Sequence, residues 1–110
     1  MKTKINNIFE NIPSIIPEER FENLLVREKL KIERIISHGH NTPVGEWYDQ
    51  TLDEWVLLLQ GKAKLAYDGG KILDMQAGDY LFIPAHTRHR VEWTQPDSNT
   101  IWLEIHFESD

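Results

Sequence analysis

Between Asp53 and Val91 the chain reads DEWVLLLQGKAKLAYDGGKILDMQAGDYLFIPAHTRHRV. Short apolar or alternating runs recur at even spacing, and each is stopped by glycine or proline. Gly61 ends the run from Glu54 to Leu59. Asp68-Gly69-Gly70 is a hairpin turn between Lys64–Tyr67 and Lys71–Met75, and Ala77-Gly78-Asp79 is a second tight turn. Pro84 stops the run from Tyr80 to Ile83. Such spacing leaves no room for a helix and predicts antiparallel strands joined by tight turns. The stretch has a glutamate near its front, Glu54, and a histidine near its back, His89.

The flanking sequence extends the same pattern. Leu30 to Ser37 alternates as a strand, with Ile35 on the face opposite Ile32, Arg34 and Ile36. HGHNTPVGE is rich in turn formers. His89 to Thr94 is predicted as a strand with His89, Val91 and Trp93 on one face and Arg90 and Glu92 on the other. QPDSN is a loop, and Thr100 to Phe107 is the last strand. Near the N-terminus, PEERFENLL has the marks of a short helix. Pro17 suits a first helical position, Glu18 and Glu19 suit the positive end of the dipole, and Phe21, Leu24 and Leu25 would form its buried side. The chain therefore divides into an arm and short helix over residues 1–29 and a β-barrel over 30–110, in one structural domain. The fold class is all-β, with a closed double-sheet roll as the arrangement that removes exposed edges.

Charge and composition exclude several functions. With 18 acidic against 12 basic residues the net charge is -6, so the chain lacks the basic stripe that nucleic-acid binding needs. There is no cysteine, hence no disulfide or thiolate metal site, and a cytoplasmic location is expected. No apolar run suits a membrane span, and MKTKINNIFENIP lacks the continuous apolar core of a signal peptide. There is no glycine-rich phosphate loop and no serine-centred nucleophile elbow.

Two motifs in order, Glu54-WVLLLQ-Gly61 and Gly78-DYLFI-Pro84-Ala85-His86-Thr87-Arg88-His89, resemble those of the cupins. The resemblance covers roughly Ile32 to Phe107 and implies a jelly-roll barrel, or double-stranded β-helix, with the short N-terminal helix outside it. It also implies a divalent metal (iron, manganese, zinc or nickel), a small-molecule ligand and a homodimer. The arm supplies Ile5, Ile8, Phe9, Ile15 and Ile16 for such an interface. The family includes enzymes and non-catalytic binding proteins, so the reaction stays open.

The departures from the family pattern define the site question. Where cupins carry a His-x-His pair just before the glutamate, this chain has Trp47 and Asp49. Its own His-x-His, His38-Gly39-His40, lies further upstream. Glu54 and His89 stand as two metal ligands, and Asp49 or His40 as a third, because such a centre needs several N and O donors converging from different strands. His86 is placed at the rim, and Trp47, Trp93 and Arg88 as pocket walls or anion contacts at the mouth. His106 shares a face with Trp102 and Glu104 on the last strand, lining the lumen or exposed. Three functions fit: a metal-dependent enzyme on a small polar molecule, a binding or sensing module, and a metal-free isomerase using acid-base chemistry.

Overall fold

The computed structural model describes residues 3–110. The described residues form eight strands: β1 (Arg20–Arg27), β2 (Leu30–Ser37), β3 (Asp53–Gln60), β4 (Lys62–Tyr67), β5 (Ile72–Gln76), β6 (Tyr80–Ile83), β7 (His89–Thr94) and β8 (Thr100–Phe107). They form a five-stranded sheet, β1-β2-β8-β3-β6, facing a three-stranded sheet, β5-β4-β7. Every pairing is antiparallel.

The strands form where the sequence alternates. Along β3, Glu54, Val56 and Leu58 are buried while Asp53, Trp55 and Leu57 are only partly so. The inward residues of the two sheets interdigitate as a core of Ile35, Val56, Leu58, Ala63, Leu65, Met75, Ile83 and Trp102. This core fills one end of the space between the sheets. Polar residues on the same inward rows fill the other end, and they build the site.

The predicted N-terminal helix is absent: Arg20–Arg27 is strand β1, and the described residues contain no helix. Its register against β2 explains the misleading pattern. Asn23 pairs with Glu33 and Leu25 with Ile32, so Leu24 is an extra residue, a β-bulge. The bulge breaks the two-residue period and leaves Phe21, Leu24 and Leu25 at the i, i+3, i+4 spacing of a helix. Helix propensity is a weak local preference, and a ladder of hydrogen bonds to the edge of a sheet outweighs it.

The segment before β1 is fastened by Arg34 of β2. The guanidinium donates to the carbonyls of Ile8 at 2.8 Å and Glu10 at 2.7 Å, and to the Glu22 carboxylate at 2.9 and 3.0 Å. Arg34 is thereby buried, on the sheet face opposite Glu33 and Ile35.

Candidate functional site

Glu54 and His89 reach the same cavity from opposite sheets. Glu54 is turned inward by the alternation of β3, between Ile83 of β6 and His106 of β8. His89 opens β7 after a turn in which His86 takes a left-handed backbone conformation, φ 61°, one that histidine adopts more readily than most residues. The turn is held by the His86 N–H, which donates to the Gln50 carbonyl at 2.8 Å. His89 is then fixed by a two-way backbone bridge to Tyr48, at 2.7 and 3.1 Å.

The side chains of this pair meet in an unusual way. His89 Nδ1–H donates to the Thr87 carbonyl at 2.8 Å. A backbone carbonyl can only accept, so in neutral His89 the proton sits on Nδ1 and Nε2 carries a lone pair. Nε2 faces Glu54 Oε2 at 3.4 Å, and that oxygen is buried with no hydrogen-bond partner among the described residues. Two lone-pair atoms held face to face out of water require positive charge, either a proton on Nε2 or a cation between them. Donor atoms about 2.1 Å from one ion stand about 3.0–3.4 Å apart at octahedral to tetrahedral angles, so the pair fits a shared divalent metal. Burial pulls the His89 pKa down, but the Glu54 carboxylate and the Thr87 carbonyl outweigh it and raise the pKa. For Glu54, burial works against ionisation. The Glu104 carboxyl and His89 beside it prevail and lower its pKa to about 2.

A second polar cluster lies on the five-stranded wall. Glu33 of β2 and Glu104 of β8 are direct cross-strand partners. His106, also of β8, presents Nε2 to Glu33 Oε1 at 3.1 Å and to Glu104 Oε1 at 3.6 Å. Its Nδ1 faces Gln50 Oε1 at 3.0 Å. Burial and then the neighbouring Glu54 push the Glu104 pKa well above its ordinary value. Glu104 thus holds a proton where Glu54 does not, as two close carboxyls in a low-dielectric space must.

The cavity joins these groups. Glu19, Glu33, Glu54, Glu104, Tyr48 and His89 form its polar part, and Ile35, Val56, Leu65, Ile83, Val91 and Trp102 its apolar part. Among the described residues no lysine or arginine lines it. Its free volume is about 50 Å³, several times the roughly 10–15 Å³ that one enclosed water needs. Burial, with Glu19 and Glu104 nearby, raises the Tyr48 pKa, so its hydroxyl keeps its proton.

The remaining expected site residues are placed elsewhere. The bridge from Tyr48 to His89 makes residues 47–50 a short extended run beside β7. Period-two alternation then sends Tyr48 and Gln50 into the cavity lining and Trp47 and Asp49 away from it. Asp49 is exposed and pairs with His86 Nδ1 at 3.2 Å. Trp47 lies under the guanidinium groups of Arg88 and Arg90, at 5.6 and 5.9 Å. Arg88 also pairs with Asp68 at 3.1 Å. His40 Nε2 contacts the Pro17 carbonyl at 3.3 Å, and His38 contacts Asn99 at 2.9 Å. Neither lines the cavity. Trp93 faces away from His89 and Val91 because β7 bulges: Val91 pairs with Leu65 and Trp93 with Lys64, leaving Glu92 as the extra residue. His106 is buried in the lumen end of the barrel, with Glu33 and Gln50.

Glu33, Glu104, Tyr48, Gln50 and Glu19 did not stand out from sequence. The signal for Glu104 was its parity with Trp102 and His106, and for Glu33 its parity with Ile35. That face of each strand proved to be the inner one.

The family model described as a cupin domain matches residues 36–106. A crystal structure from Ralstonia eutropha JMP134, provisionally named a mannose-6-phosphate isomerase, is 44% identical over 97% of this chain and 100% of that one, with a TM-score of 0.92. A cupin superfamily protein of Desulfitobacterium hafniense DCB-2 is 20% identical over 89% of this chain and 84% of that one, with a TM-score of 0.74. An RmlC-like cupin of Desulfovibrio desulfuricans is 18% identical over 96% and 97%, with a TM-score of 0.73. No curated protein matches the sequence. No helix of the described residues is long and apolar enough to cross a membrane. With its two motifs in order on two facing antiparallel sheets and a family match across most of the barrel, the chain belongs to the cupin family.

Proposed function

We propose that this cupin binds a divalent metal through Glu54 and His89 and acts there on a small, uncharged or cationic polar molecule. The observation that carries the reading is the Nε2–Oε2 approach of 3.4 Å, with Nδ1 committed to Thr87 and Oε2 left without a hydrogen bond. Iron(II), manganese, zinc and nickel all accept such mixed N and O donors. A bound metal would act as a Lewis acid on a ligand oxygen.

The chain's own residues supply the rest. Thr87 sets the His89 tautomer and ring orientation through its carbonyl. Glu104, holding its proton beside ionised Glu54, supplies the acid of an acid-base pair. Tyr48 stands over His89, ring centroids 5.6 Å apart, and can donate a hydrogen bond to a ligand oxygen.

The charge of the lumen narrows the ligand class. Glutamates at positions 19, 33, 54 and 104 line the cavity, and no lysine or arginine is among its described lining residues. A phosphate dianion would find no side-chain cation there to pair with. The relative's provisional name is a sugar-phosphate isomerase. The parallel supported for this chain is narrower: proton transfer next to a carbonyl, on a compact unphosphorylated molecule. The carboxyl pair also favours a second reading, metal-free acid-base catalysis, in which a proton alone separates His89 from Glu54.

The reading also makes the protein a homodimer, through the outer face of the five-stranded sheet. There Tyr80 and Phe82 are 68% and 48% exposed, with Trp55 and Phe107 packed against them.

Elemental analysis tests the metal. Protein purified without added metal, then reconstituted with manganese, iron or zinc, should retain about one equivalent or more after desalting. Retention below about a tenth of an equivalent of every metal would rule out the metal reading and leave the acid-base one.

A further inference from the structure

We propose that Glu33, Glu104 and His106 form a second divalent-cation position in the lumen, beyond the Glu54–His89 centre and joined to it by the Glu54 carboxylate. The three side chains offer ligand atoms that all lie within 4.8 Å of one another. His106 Nε2 stands 3.1 Å from Glu33 Oε1 and 3.6 Å from Glu104 Oε1, close to the spans of about 3.0–3.4 Å between neighbouring ligands of one ion. Gln50 Oε1 accepts from Nδ1–H at 3.0 Å, which leaves the Nε2 lone pair toward the carboxylates. A ligating histidine is commonly held by such an acceptor on its other nitrogen.

Glu54 provides an independent reason to place charge here. It is 4% exposed, its Oε2 has no hydrogen-bond partner among the described residues, and it opens into the same cavity as Glu33 and Glu104. On one side it meets His89. On the other it is the direct cross-strand partner of His106 and adjoins Glu104. A carboxylate so placed can bridge two cations, as in two-metal sites with ions about 3.5–4 Å apart. Among the described residues the lysine or arginine nitrogen beside the cluster is Lys31 Nζ, 3.8 Å from Glu33 Oε2 and 40% exposed. A cation held by Glu33, Glu104 and His106 would take the place of the proton that Glu104 otherwise keeps, as metal binding to protonated ligands generally does.

The test is a count of bound ions, using manganese(II) chloride on chelator-treated protein with equilibrium dialysis and elemental analysis. Wild type should take up about two equivalents, and His89→Ala and Glu33→Gln about one each. Uptake in Glu33→Gln equal to wild type, at the same affinity, would overturn the second position while leaving the first. Uptake lost in Glu33→Gln but intact in His89→Ala would support this position and overturn the Glu54–His89 one. A spectroscopic measurement on wild type needs no variant. At full loading, manganese paramagnetic resonance should show spin coupling between neighbouring ions, and an isolated-ion pattern at every loading would overturn the proposal.

Discussion

His89 Nδ1 is tied to the Thr87 carbonyl at 2.8 Å while His89 Nε2 lies 3.4 Å from the partnerless Glu54 Oε2. Without metal, a proton on Nε2 must hold this pair together, so His89 should titrate above its ordinary 6.5. The sign follows from linkage: the stability contributed by the raised pKa is fully present below 6.5 and lost as pH rises through the folded value. Nitrogen-15 NMR of the apoprotein should show an imidazolium near neutral pH that loses the Nε2 proton on titration with zinc. His89→Ala should weaken metal binding by at least about 100-fold and, by leaving Glu54 buried alone, cost about 3–5 kcal/mol in urea denaturation.

Glu104 and Glu54 should respond to pH in opposite senses. Burial and the Glu54 charge raise the Glu104 pKa well above 4.5, so holding Glu104 in the fold costs nothing at low pH and progressively more as pH rises. Glu54, lowered to about 2, contributes stability that is present above 4.5 and lost as pH falls through about 2. Glu104→Gln keeps the shape and removes the raised titration. As pH rises above 4.5 the metal-free variant should lose less stability than wild type. Equal slopes for the two proteins in pH-dependent denaturation would show that Glu104 is already ionised.

The sequence made the barrel legible through Gly61, Gly78, Pro84 and the alternation around them, because turn chemistry and period-two burial are local properties. It failed where one extra residue shifts the period. Leu24 made β1 read as a helix, and Glu92 moved Trp93 from the face of His89 to the outside. Bulges depend on the partner strand, which local pattern does not contain. The same limit hid the inner wall. Trp47 and Asp49 matched the family's ligand positions by count, yet the pairing of Tyr48 with His89 turns Tyr48 and Gln50 inward. Glu33 and Glu104 become neighbours only through the β2–β8 ladder.

Arg34 is the predicted weak point of the arm. Its guanidinium binds two carbonyls and one carboxylate in a buried position. Arg34→Ala would leave those acceptors unsatisfied and should cost about 3–5 kcal/mol. Arg34→Lys should rescue little, since an ammonium cannot reproduce the planar fork. Limited trypsin digestion should cut both variants at Lys4 and Arg20 faster than wild type. Unchanged cleavage would mean that the arm is held by other contacts.

Gly61 and Gly69 offer a controlled pair. Both have left-handed backbones, φ 92° and 114°. A Cβ at Gly61 would stand 2.8 Å from the Thr100 Cα, whereas one at Gly69 meets nothing within 4 Å. Gly69→Ala should therefore cost only the conformational penalty, about 1 kcal/mol. Gly61→Ala should cost about 2–4 kcal/mol, because Thr100 is backbone-paired in β8 and cannot yield without moving the strand. Thermal denaturation of the two variants checks the difference, and equal losses would refute the steric part.

The outer aromatic face should disappear into a dimer. Trp55 and Tyr80 pack with ring centroids 5.4 Å apart, and Phe82 and Phe107 at 6.3 Å, on a surface where Tyr80 and Phe82 remain largely open. Contiguous exposed aromatics of this kind mark association surfaces. A two-fold dimer would bring each patch against its copy. Sedimentation velocity at micromolar concentration should give a dimer, and Phe82→Glu should give a folded monomer, since a charge on the patch would face its own copy across the axis. The substitution lies on the outward side of β6, opposite the inward Ile83, so metal uptake per chain should not change. A wild-type monomer at all concentrations would remove this surface as an interface.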